Sequence, residues 1–337
     1  MKAIVLMLSS LLLSMGASAH AAQAPCLGDK PLRGVNMAGG EFNASRLPGT
    51  LFKDYVYPSA ADLRYFAEQG ANTIRLPFRW ERLQRTPGAA LDTGELREIA
   101  KVAAAAREAG LCLILDAHNF GTYGKQPLGT PELPLSALSD FWLRMREAFP
   151  DPEYLAFGLM NEPARAGRAD WARAAQDTLA ALRTAGSKHL VLVSGAGWSG
   201  AHDWEVRHDG LANAEAFAAL QDPLHRSAIE VHQYADRDAS GTKGDCIAPD
   251  RMRAIMGRVA DWARSHEQRL FLGEFGVSPS PECLDTLKAQ IEAARSAPWV
   301  GWTYWAAGAW WGPNYPFNVH PIAGVSHAQL AVLKSEW

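Results

Sequence analysis

The stretch Leu155-Ala-Phe-Gly-Leu-Met-Asn-Glu-Pro163 decides how the chain is read. Six apolar or small residues end abruptly in an amide, a carboxylate and a proline. An apolar run of this length fits a strand buried on both faces, which predicts a strand delivering Glu162 at its end. A carboxyl there has apolar structure behind it and an open loop ahead, surroundings in which a general acid keeps its proton. Asn and Pro also punctuate ordinary turns, so the tripeptide alone would read as a turn. A second run changes that reading: Leu270-Phe-Leu-Gly-Glu-Phe275 also ends on a glutamate, Glu274. Two glutamates delivered in the same way suggest a pair.

Working outward, further apolar runs predict strands at 32–37, 72–77, 111–118, 189–194, 228–234 and 300–305, which makes eight with the two above. Helical segments are predicted between them at 60–69, 93–109, 136–148, 170–185, 249–267 and 281–294, with a weak one at 212–220 and a closing one at 327–334. Ser59 is placed to cap the first and Gly70 to stop it. Strands alternating with helices imply parallel pairing through crossovers, and eight such units predict a (β/α)8 TIM barrel in a single domain. An open doubly wound sheet is the alternative, but the first strand lacks a Gly-x-Gly-x-x-Gly loop and nothing marks two halves.

The bulk properties narrow the function. Lys2, the apolar run Ala3 to Leu13 and the small residues through Ala22 predict a secretory signal peptide over 1–22, leaving a catalytic domain at 23–337. No later stretch reaches the roughly 20 apolar residues of a membrane span. The protein is expected to be secreted, extracellular or periplasmic, free of the membrane and monomeric. The net charge is −3, which argues against a nucleic-acid partner. Twelve tryptophans suit the flat apolar faces of sugar rings. The four cysteines, Cys26, Cys112, Cys246 and Cys283, read as disulfides in an exported chain, with three pairings open. No His-x-x-x-His pair or cysteine cluster occurs, so neither a metal nor a cofactor is expected.

In a barrel, the polar residues that end the strands converge on the C-terminal mouth. That brings together Asn36, Arg75, His118, Asn161, Glu162, His232, Tyr234, Glu274 and Trp305. Two carboxyls facing each other, one protonated and one ionised, are what cleavage of a glycosidic bond requires. Arg75 beside Glu274 would keep that carboxyl charged, and Glu162 would then be the acid. His232 is placed to bond a carboxyl, and Tyr234 to donate to Glu274.

The motifs Arg33-Gly-Val-Asn36, Asn72-Thr-Ile-Arg-Leu-Pro77, Asp116-Ala-His118, Asn161-Glu-Pro163, His232-Gln-Tyr234, Gly273-Glu-Phe-Gly276 and Trp305 together resemble glycoside hydrolase family 5. Asn-Glu-Pro is shared with related retaining families of the same clan. The stretch 232–242 with Cys246, and Gly197-Trp198, are similar to the secreted endoglucanase branch that includes fungal cellulases. The resemblance implies Glu162 as acid/base and Glu274 as nucleophile of a retaining mechanism. It implies that Asn161 binds the sugar 2-hydroxyl, that Arg75, His118, His232 and Tyr234 position the pair, and that Trp305 floors the subsite being cleaved. Close relatives often carry His after Asn-Glu-Pro, where this chain has Ala164. The activity implied is an endo-β-1,4-glucanase on a β-glucan such as cellulose, with a mannanase or xyloglucanase, or a non-catalytic carbohydrate-binding protein, as alternatives.

Trp198 is expected to stack on the departing sugar, with Asn36, Phe42, Trp310 and Trp311 as further substrate contacts. Trp80, Trp142, Trp171 and Trp262 read as packing. Within a barrel, Cys246 and Cys283 both follow neighbouring strands at the mouth, which favours the pair Cys246–Cys283. Cys26 and Cys112 lie at the opposite end and form the second expected pair, Cys26–Cys112.

Overall fold

Each apolar run forms a short strand, and the strands close on one another in a ring. The computed structural model describes residues 25–312, 314–323 and 325–337; the expected signal peptide at 1–22 lies outside the described residues. The barrel strands are β1 (Leu32–Met37), β2 (Thr73–Phe78), β3 (Cys112–Ala117), β4 (Leu155–Gly158), β5 (Leu190–Ser194), β6 (Ser227–His232), β7 (Leu270–Glu274) and β8 (Trp299–Ala307). They form a closed barrel in which β1 pairs with β8, and every pairing is parallel. The chain is a single-domain (β/α)8 barrel.

Helices α1 (Ala60–Glu68), α2 (Trp80–Leu83), α3 (Thr93–Glu108), α4 (Ser136–Ala148), α5 (Arg168–Thr184), α6 (Asn213–Ala216), α7 (Pro249–Ser265), α8 (Pro281–Ala293) and α9 (Ala328–Lys334) supply the connections. Ser59 caps α1 as expected, accepting from the Asp62 amide at 3.3 Å, while the Asp62 carboxylate accepts from the Ser59 amide at 2.8 Å. The four-residue α2 and a hairpin pairing Thr122–Tyr123 with Gln126–Pro127 carry too little periodicity to be seen in the sequence.

Alternation along the strands sorts the side chains. Ile74, Leu76, Leu113, Leu115, Val191, Val193, Ile229 and Val231 face outward into the core shared with the helices. Their neighbours Leu32, Cys112, Ile114, Ala156, Leu190, Leu192, Ala228 and Phe271 fill the lower interior of the barrel. Trp80, Trp142, Trp171 and Trp262 are buried, as their packing role predicts. Cys26 is bonded to Cys112 with Cα atoms 4.9 Å apart, and Cys246 to Cys283 at 5.3 Å, so the two expected pairs are the ones formed. The first ties the segment before β1 to the start of β3. The second ties the loop after β6 to α8.

Candidate active site

The same alternation that fills the lower barrel with apolar groups turns polar towards the mouth. Asn36 on β1, Arg75 on β2, Asp116 on β3 and Glu230 on β6 are all fully or almost fully buried. The Arg75 guanidinium sits at their centre. Its Nη1 donates to Asn36 Oδ1 at 2.9 Å and to Glu274 Oε1 at 3.0 Å, and its Nη2 donates to Asn161 Oδ1 at 2.8 Å. Nη2 also pairs with Glu230 Oε1 at 2.8 Å and Asp116 Oδ1 at 3.1 Å. Burial opposes the charge on Arg75, but Asp116, Glu230 and Glu274 outweigh it and raise its pKa above the usual value. One cation thus holds residues from four strands and the loop after β4.

Glu274 ends β7, and its second oxygen accepts from the Tyr234 hydroxyl at 2.8 Å. Glu162 lies elsewhere than the sequence predicts. Strand β4 ends at Gly158, and Glu162 follows in a loop with φ of 39°, an uncommon conformation for a residue with a Cβ. The reason is a change of backbone partner. The Leu159 amide still bonds Leu192 on β5, but the Asn161 amide bonds Ala117 on β3, and the Asn161 carbonyl accepts from Phe120. The ladder breaks, and the chain turns Glu162 over the mouth. Glu162, His232 and Glu274 each present an atom within 4.8 Å of the others.

His232 lies beside both glutamates. Its Nδ1 is 2.8 Å from Glu162 Oε1 and 3.7 Å from Glu274 Oε2, and its Nε2 is 3.1 Å from Glu230 Oε1. Burial opposes protonation of His232, yet Glu274, Glu162 and Glu230 push its pKa up to about 10. Burial raises the Glu162 pKa; its hydrogen bond to His232 works the other way and the nearby Glu274 charge adds to the rise. The His232–Glu162 pair therefore retains a proton that a free carboxylate would have lost. His118 is different: burial lowers it to about 3, so it is a neutral ring between Asp116 Oδ2 at 2.8 Å and Asn161 Nδ2 at 3.2 Å.

Around this polar floor runs an aromatic rim. Trp305, partly exposed, stacks on His118 with ring centres 5.6 Å apart. Trp311 packs edge-on to Trp305 and to Phe42, at 6.3 and 5.0 Å, and stacks on Tyr315. Trp310 is exposed beside them. Trp198 stands apart from this group, 63% exposed and edge-on to Phe120. It overhangs a cavity of about 420 Å³ that Glu162, His202, His232, Tyr234 and Asp238 also line.

The family model described as Cellulase (glycosyl hydrolase family 5) matches residues 35–309, a span that holds every residue of the polar network. The chain belongs to glycosyl hydrolase family 5. A solved structure of XacCel5A in complex with cellopentaose is 43% identical, with a TM-score of 0.89 over 92% of this chain and 100% of that one. The crystal structure of an endo-beta-1,4-glucanase from Xanthomonas axonopodis pv. citri is 41% identical, with a TM-score of 0.88 over 91% of this chain and 98% of that one. Endoglucanase gh5-1 of Neurospora crassa is 31% identical over 300 residues, 87% of this chain and 74% of its own.

Within this family 5 barrel the expected site residues divide into two groups. Arg75, His118, Asn161, Tyr234 and Glu274 form one hydrogen-bonded set, and the bonded pair His232–Glu162 joins it through Glu230, which contacts both His232 and Arg75. Asn36, expected to touch substrate, belongs to the frame instead. It is fully buried, its oxygen accepts from Arg75, and its amide donates to the carbonyls of Gly273 and Thr303. Glu162, His232 and Glu274 have a spacing that could hold a cation. Their nearest atoms are already committed to one another, to Tyr234 and to Arg75, which supplies the positive charge itself.

Three carboxyls of the site receive no role in the sequence reading, although Asp116 belongs to the quoted motif Asp116-Ala-His118. Asp116 and Glu230 are inward-facing charges within apolar strands, each two residues before a site histidine, and that period of two was the available signal. Burial raises Asp116 to about 7 against the pull of Arg75. Glu41, in the loop after β1, accepts from the Gly39 amide at 2.8 Å, while its other oxygen is buried without a partner. Burial raises its pKa to about 8.

Proposed function

We propose that this family 5 protein is an exported, monomeric, retaining endo-β-1,4-glucanase that cleaves internal bonds of a β-glucan chain. The observation that carries the reading is the spacing of Glu162 and Glu274, whose nearest oxygens lie within 4.8 Å. Retaining enzymes set their carboxyls about 5 to 5.5 Å apart, whereas inverting ones need about 6.5 to 9.5 Å to admit a water. Its relatives support the same reading: one solved structure holds cellopentaose, and another is of an endo-beta-1,4-glucanase.

Glu274, held by Arg75 and Tyr234 on its two oxygens, is the nucleophile. It attacks the anomeric carbon as the bond to the leaving sugar oxygen breaks. Glu162 gives its proton to that oxygen. A water then attacks the same carbon, Glu162 takes the water's proton, and the bond to Glu274 breaks, so the configuration is restored. Glu162 faces the side where the leaving sugar departs, so the cavity beneath Trp198 receives that sugar. Trp305 supports the ring at the point of cleavage, and Phe42, Trp310 and Trp311 the sugars beyond it. Asn161 meets the 2-hydroxyl, with His118 and Arg75 fixing its amide.

Export is supported by the N-terminal segment of signal-peptide character and by the two disulfides. The test is a reducing-sugar assay on carboxymethyl cellulose, barley glucan, xyloglucan and mannan, with the anomer of the first product followed by NMR. Release from the two β-glucans with retained configuration is the expected result. Inversion at the anomeric centre, or turnover of mannan alone, would refute the reading.

A further inference from the structure

Glu230 is a buried carboxylate for which the double displacement itself has no use. Its Oε1 is 2.8 Å from Arg75 Nη2 and 3.1 Å from His232 Nε2, and its Oε2 has no partner. The two groups it touches serve different glutamates: Arg75 holds Glu274 at 3.0 Å, and His232 lies 2.8 Å from Glu162. A single oxygen therefore connects the nucleophile's support to the acid's support.

The backbone has been shaped around this carboxylate. A Cβ built on Gly273, the residue before Glu274, would lie 2.1 Å from Glu230 Oε1 and 2.6 Å from its Cδ. No side chain fits there. The glycine in Gly273-Glu-Phe-Gly276 is explained by the space that Glu230 occupies, which ties a residue on β6 to the motif carrying the nucleophile.

We propose that Glu230 is a positioning residue for the acid/base: it accepts the Nε2 proton of His232, leaving Nδ1 turned to Glu162, and its negative charge keeps a proton in the His232–Glu162 pair. The inference rests on the assignment of Glu162 as acid/base. Proton balance is simple. The pair carries one shared proton: it passes from His232 Nδ1 through Glu162 to the leaving oxygen in the first step, and the proton that Glu162 takes from water in the second step restores it. The charged and titratable groups facing Glu230 are Arg75 on β2, Asp116 on β3, His118 just beyond it and His232 on its own strand; from β7 it meets Gly273, and Glu274 is reached through Arg75 and His232. Burial opposes ionisation of Glu230, and Arg75 and His232 outweigh that and hold it below the usual carboxylate range. It is therefore the permanent negative partner that His232 needs.

The test compares Glu230→Gln and Glu230→Asp with the unaltered protein in kcat/KM against pH on a cellooligosaccharide. Removing the charge should move the alkaline limb down by about one pH unit. It should lower kcat by about 10- to 100-fold, less than the roughly 10²- to 10⁴-fold that proton transfer contributes in full. KM should stay within about twofold. An aryl cellobioside whose leaving group needs no proton should recover most of the lost rate, and Glu230→Asp should restore the limb in part. An unmoved limb with a uniformly lower rate on both substrates would overturn the proposal. If Glu230→Gln does not fold, nitrogen NMR of the unaltered protein decides: His232 neutral at pH 7, or carrying no proton on Nε2, would overturn it too. Failure of azide to rescue Glu162→Ala would instead remove the acid/base assignment on which the proposal stands.

Discussion

The hydroxyl of Tyr234 donates to Oε2 of Glu274 at 2.8 Å, the oxygen that Arg75 leaves free. Each oxygen of the nucleophile thus has its own donor. A hydrogen bond to a charged group contributes about 1.5 to 3 kcal/mol, so Tyr234→Phe should lower kcat by about 10- to 100-fold while changing KM little. Glu274→Ala should lose nearly all turnover. Steady-state kinetics on a cellooligosaccharide checks both, and robust hydrolysis by Glu274→Ala would contradict the assignment.

Glu162→Ala removes the proton donor and leaves the nucleophile in place. Natural substrates should slow by about 10²- to 10⁴-fold. An activated aryl cellobioside should still form the glycosyl-enzyme. Azide should then restore turnover and give a glycosyl azide of retained configuration, which NMR identifies.

Arg75→Leu leaves Asp116, Glu230 and Glu274 without their shared cation. Breaking a buried pair in this way costs about 3 to 5 kcal/mol. The remaining carboxylates repel one another and resist ionisation in the folded state, so the folded protein binds more protons than the unfolded chain at neutral pH. The deficit in stability should be largest near pH 7 and above, and should shrink as pH falls towards the carboxylate range near about 4. Denaturant unfolding at several pH values measures it.

Glu41 has a folded pKa of about 8, raised by burial from 4.5. Its sign is opposite to that of a salt-bridged acid. Between those two values the unfolded chain is ionised there and the folded one is not, so Glu41 makes stability fall as pH rises. Glu41→Gln should remove this dependence. Its melting temperature should match the unaltered protein near pH 4 and exceed it increasingly up to about pH 8.

The Cys26–Cys112 bond spans 86 residues and Cys246–Cys283 spans 37. Loop-closure entropy assigns about 4.6 and 3.8 kcal/mol to them. Serine replacement of the first pair should therefore lower the unfolding free energy by about 0.8 kcal/mol more than replacement of the second. Chemical denaturation of the two double variants tests the order.

The barrel was legible because its strands are apolar runs at regular intervals, and their polar ends mark one face. That reading alone places Arg75, Asn161, Glu162, His232, Tyr234 and Glu274 in a common neighbourhood. It missed where Glu162 sits, because an apolar run does not reveal that Asn161 changes backbone partner from β5 to β3. It also missed Glu230, since a charge inside an apolar strand has no meaning until its neighbours across the barrel are known. Asn36 was assigned to the substrate for the same reason: sequence gives the direction in which a residue faces, not whether another side chain already fills the space.

The cation at the centre of the site and its partners Asn36, Asp116 and Glu230 are anchored in strands, whereas Trp198, Trp310 and Trp311 ride on connecting loops. Chemistry and substrate range can consequently diverge at different rates during evolution. A library made by exchanging those loops should retain hydrolytic competence in many members, while one that randomises the inward strand positions should lose it in almost all.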